Sequence, residues 1–72
     1  MAKTLSAILE KEGDWFVALC PELDVASQGR TMEESLANLK EAVELYLEHA
    51  DPSELDHIGT PFITTFQVAV HG

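Results

Sequence analysis

The chain has 72 residues, 46% of them apolar, and a formal net charge of −9 from 4 Lys and Arg against 13 Asp and Glu. Such a length excludes a second domain, since it supports one core and buries only about 60% of the surface exposed on unfolding, and the acidic balance argues against direct binding to DNA or RNA, whose affinity comes from Lys and Arg displacing counterions. Cys20 is the only cysteine and so excludes an internal disulfide, and no run approaches the roughly 18 apolar residues of a membrane span, so a soluble protein of the reducing cytoplasm is expected.

Residues 4–10 place Leu5, Ala7 and Leu9 at period two against Thr4, Ser6 and Glu10, the pattern of a strand with one buried face. Lys11, Glu12, Gly13 and Asp14 supply a turn, and residues 15–20 resume as a dense apolar run, completing a hairpin. Both faces of this second strand are apolar: Trp15, Val17 and Leu19 on one, Phe16, Ala18 and Cys20 on the other. A single helix covers only one of them, so the other calls for a loop, a second subunit or a partner.

Pro21 cannot donate to a sheet ladder and ends the strand. Residues 23–28 read as a short third strand reached through a turn at Glu22 and Asp24. Thr31-Met32-Glu33-Glu34 is a capping box: the Thr31 hydroxyl is placed to accept from the Glu34 N–H, and the Glu34 carboxylate to accept from the N–H of Thr31. A helix of about 18 residues follows, with Met32, Leu36, Leu39, Val43, Tyr46 and Ala50 as its apolar stripe. Asp51-Pro52 ends it. Residues 61–70 then alternate Phe62, Thr64, Phe66, Val68 and Val70 against Ile63, Thr65, Gln67 and Ala69, predicting a fourth strand.

The predicted fold is therefore α+β, of β-β-β-α-β order, with a mixed four-stranded sheet in the order 3-2-1-4. The first three strands are antiparallel, the fourth lies parallel beside the first after a right-handed crossover, and one helix packs on one face.

Three segments together resemble HicB-type antitoxins: Trp15-Phe-Val-Ala-Leu-Cys-Pro21-Glu-Leu-Asp24, Ser27-Gln-Gly29-Arg-Thr31-Met-Glu-Glu34 and Ala42-Val-Glu-Leu-Tyr46-Leu. The match runs from about residue 4 to residue 63, and its specificity lies in the order and spacing of these pieces. It implies a partial ribonuclease H-like fold that occludes the active site of a small basic RNA-cleaving toxin, HicA. Many such antitoxins carry a C-terminal DNA-binding module; a single HicB-like domain over residues 1–72 without one is expected here. Arg30 stands where many relatives have an acidic residue, and Ser35 where Ala is usual.

Enzymatic chemistry is not expected. Ribonuclease H-type catalysis needs carboxylates from the first strand, helix and fourth strand to hold two divalent ions, and residues 61–72 contain no Asp or Glu. Cys20 has no histidine fixed against it, since His49, His57 and His71 fall in or near loops or chain ends, so it is read as a packed strand cysteine. No zinc-ligand spacing is present, and neither a metal nor a cofactor is expected.

The expected function is that of an antitoxin-like module masking the basic surface of a HicA-type toxin; the alternative is a stand-alone homo-oligomeric binding protein with no toxin. Candidate partner-binding residues are Trp15, Glu22, Asp24, Glu41, Glu44 and Glu48, and Pro21, Gly29, Thr31 and Glu34 are assigned to structure. Self-association as a dimer or tetramer is expected from the doubly apolar second strand, with no binding to nucleic acid or membrane.

Overall fold

A computed structural model describes residues 2–71. Its elements are β1 (Ile8–Glu12), β2 (Trp15–Cys20), β3 (Val25–Gly29), α1 (Met32–His49) and a single 3-10 turn at Pro52–Leu55. The three strands are antiparallel in the order β1-β2-β3, with Glu12 opposite Trp15 and Cys20 opposite Val25 at the two turns. Gly13 takes φ 60° at the first central position of the β1–β2 turn, a conformation glycine adopts without steric cost. Asp24 takes φ 55° in the β2–β3 turn, where a short polar side chain tolerates the left-handed region.

The four-stranded mixed sheet of order 3-2-1-4 is not formed. Residues 57–71 contain no strand, and the sheet stops at β1. Alternation in residues 61–70 records a segment suited to a pleated surface, but a strand exists only where a neighbour takes up its N–H and C=O groups, and this segment pairs with no strand of its own chain. Phe62, Phe66, Val68 and Val70 are 94, 84, 69 and 85% exposed as a result. The radius of gyration, 14.2 Å, exceeds the about 11 Å of a compact domain of this length.

The helix begins and runs as its sequence predicts, over 18 residues from the Thr31 cap. The Glu34 N–H donates to Thr31 Oγ1 at 3.0 Å, whereas the Glu34 carboxylate accepts from the Arg30 N–H at 3.2 Å, one residue before the expected donor. Its rotation differs from the expected stripe. Ser35 and Leu39 are buried and Val43 half-buried, while Met32, Leu36 and Tyr46 are exposed. The cause is a close approach at the end of β3: a Cβ on Gly29 would lie 2.6 Å from the Ser35 backbone nitrogen, so the first helical turn seats directly on that glycine.

The helix packs chiefly on β3 and β2. Ala18, Cys20 and Leu39 form the buried centre, with Leu5, Ala7, Leu9, Leu23, Val25 and Val43 packed around it. These are mostly small or half-covered side chains, so the chain alone buries little apolar surface for its size.

Candidate functional site

The register puts Ile8, Trp15, Val17, Leu19 and Ala26 on the sheet face that the helix does not cover, among Glu10, Glu12 and Gln28. Val17 and Leu19 are half-buried, and Trp15 and Ile8 are 38 and 40% exposed. The Arg30 guanidinium lies 4.2 Å from the centre of the Trp15 ring, a cation–π contact that also shields part of the indole. Trp15 thus occupies one end of an open face that is apolar at its middle and mixed in charge at its rim.

The β2–β3 turn lies at the other end of β2, about 17 Å from Trp15 at the usual rise per strand residue. Its two acidic residues behave differently. Asp24 is exposed at the tip. Glu22 is half-buried: its carboxylate accepts from the Ser6 N–H at 3.1 Å to each oxygen, from the Ser6 hydroxyl at 2.6 Å and from the Cys20 thiol at 3.5 Å. Burial pushes this carboxyl up, but the hydrogen bonds from Ser6 and the neighbouring backbone outweigh it and hold Glu22 below its ordinary value. The same burial raises the Cys20 thiol. Glu22 therefore fastens the segment leading into β1 to the end of β2.

Glu41, Glu44 and Glu48 are exposed along α1, which does not cover the sheet face that carries Trp15. Residues 41–56 hold six carboxylates and no Lys or Arg. Asp51 accepts from the Ser53 N–H at 2.9 Å, which lowers its carboxyl, and the Tyr46 hydroxyl donates to Glu54 at 2.9 Å, which raises the phenol. Beside this ridge a groove of about 970 Å³ opens between α1 and the lead-in to β1. Leu5, Ala7, Leu36, Val43 and Leu47 line it, and Lys3, Glu33, Lys40 and Glu44 stand around it.

The candidate residues thus do not form one patch. Trp15 belongs to the open sheet face, Asp24 to a turn tip, Glu22 to an internal polar knot, and the three helical glutamates to a ridge beside the groove. Sequence reasoning missed both the groove and the Ser6–Glu22 link. The exposed side of the groove was foreshadowed only by Leu36 and Leu47, which do not fall on a common stripe with Ser35; a serine in a lead-in segment bonded to a glutamate in a distant turn leaves no periodic signal. Pro21, Gly29, Thr31 and Glu34 all lie where chain direction changes.

Among the described residues no three His, Cys, Asp or Glu side chains are grouped so as to hold a metal, and no helix is long and apolar enough to cross a membrane. What the fold defines is a small α+β module that displays apolar surface and carboxylates on a three-stranded frame. A UPF0150 protein of Helicobacter pylori is 42% identical over 52 residues, which are 71% of this chain and 72% of that protein. A UPF0150 protein of Synechocystis is 49% identical over 45 residues, 60% of this chain and 57% of that one. The chain belongs to the UPF0150 family. No family model and no solved structure matches it.

Proposed function

We propose that this UPF0150 protein is a cytoplasmic, HicB-like antitoxin module that neutralises a HicA-type mRNA-cleaving toxin by occlusion rather than by catalysis. The observation that carries this reading is the exposed carboxylate ridge of Glu41, Glu44 and Glu48, within a 16-residue stretch, 41–56, that holds no Lys or Arg. A surface that binds and cuts RNA must itself be rich in Lys and Arg, so a ridge of this kind competes for it, speeds encounter and sets orientation. The open sheet face around Trp15 supplies apolar contact area of the sort that holds a complex once formed.

Co-expression with a HicA-type toxin tests the proposal. Rescue of growth and recovery of a stable complex are expected; growth arrest unrelieved by this chain, with no complex at low salt, overturns it. A second reading, a stand-alone homo-oligomeric binding protein, is supported by the exposure of Phe62, Phe66, Val68 and Val70. It predicts self-association with no effect on any co-expressed toxin.

A further inference from the structure

We infer that residues 61–70 are an exchanged arm: the segment lies in the groove between α1 and the β1 lead-in of a second copy of this chain, which returns its own arm in the same way. This goes beyond the toxin-binding reading and stands without it.

Each copy carries both halves of the contact and satisfies neither by itself. The arm presents Phe62, Phe66, Val68 and Val70 to solvent, far more exposed apolar surface than scattered surface residues leave. The groove is apolar along Leu5, Ala7, Leu36, Val43 and Leu47 and stands open. Its wall of Leu5, Ser6 and Ala7 runs directly into β1, which has a neighbour on only one side and so offers a row of unpaired backbone groups to an incoming segment.

The root of the arm lies beside this region. Lys3 Nζ donates to the Ile58 carbonyl, and Leu55, Ile58 and Pro61 are half-buried, but every residue from Phe62 to His71 is exposed. The chain is thus led to the groove's end and then away from its own groove. Extended, ten residues reach about 33 Å, comparable with the about 27 Å of the 18-residue helix that walls the groove.

Charge selects a second copy as the occupant. Two molecules of charge −9 repel, yet residues 58–70 carry no ionisable side chain, so the arm approaches without bringing carboxylates together. The groove is also where Lys3 and Lys40, two of the chain's four basic residues, balance Glu33 and Glu44. A reciprocal exchange closes on itself under two-fold symmetry and leaves no arm or groove over.

The test is sedimentation equilibrium of the whole 72-residue chain with two variants at exposed positions, Phe66→Asp in the arm and Leu36→Asp in the groove, with circular dichroism to confirm that helix content is kept. The wild type is expected to be a dimer, and each variant to raise the dimer Kd at least about tenfold. Mixing the two variants is expected to restore partial dimerisation, because one intact arm then meets one intact groove. A monomeric wild type, whether the arm is free or folded back on its own groove, overturns the inference. So does a dimer indifferent to Phe66→Asp, or one that Phe66→Asp abolishes and Leu36→Asp spares, the signature of arm pairing with arm.

Discussion

Gly29 and Ser35 meet where strand gives way to helix, with room for no side chain between them: a Cβ at residue 29 would stand 2.6 Å from the Ser35 nitrogen and 2.9 Å from the Glu34 carbonyl carbon. Both nearest atoms are backbone, so neither yields by a rotamer change. Gly29→Ala is expected to lower stability by about 1–3 kcal/mol, read as a lower urea midpoint at unchanged slope. The cost comes from displacing the helix, not from φ, which lies outside the left-handed region at Gly29.

Glu22 makes the fold sensitive to acid. Its folded carboxyl lies below the ordinary glutamate value of 4.5, so its contribution is complete above that value and is lost as pH falls through the lower folded value. Asp51, also lowered, acts in the same direction. Stability measured by urea titration is expected to fall on acidification below about pH 4.5, and Glu22→Gln to flatten that fall. Glu22→Ala, which leaves the buried Ser6 N–H and hydroxyl without their acceptor, is expected to cost about 1–3 kcal/mol at pH 7.

Trp15 is the only tryptophan, so fluorescence reports the open sheet face alone. Arg30→Ala removes the cation above its ring and is expected to shift the emission to longer wavelength, at a stability cost of about 0.5–1 kcal/mol. A spectrum unchanged by the substitution would show that the guanidinium does not rest on the indole in solution.

Reversing Glu41, Glu44 and Glu48 together to Lys tests the acidic ridge. All three are exposed, so helix content is expected to hold. Binding to a basic protein partner is expected to slow mainly in association rate, and its dependence on ionic strength to shrink.

Local chemistry was legible in the sequence wherever one short segment determined it. The Gly13 turn, the Thr31 cap and the extent of α1 follow from neighbouring residues, and so do the two apolar faces of β2. The helix rotation was not, because Leu36 and Leu39 are equally apolar and the choice between them is made by a contact with Gly29 six residues upstream of Ser35. Nor was the fate of residues 61–70: alternation reports what such a segment would do given a neighbour, and says nothing of whether its own chain offers one. Among the site residues, Asp24 and the helical glutamates are exposed, whereas the inward turn of Glu22 depends on Ser6, sixteen positions away.

The seclusion of the sole thiol gives the molecule a built-in clock. Cys20 is 1% exposed, hydrogen-bonded to Glu22, and raised by burial first and by that carboxylate second, so very little reactive thiolate is present in the closed protein near neutrality. A disulfide reagent therefore gains access only when the β2 end and the Ser6–Glu22 knot come apart, and the labelling rate measures how often they do. Any ligand or second chain that clamps this corner will slow the reaction, whereas one seated at Trp15 will leave it unchanged.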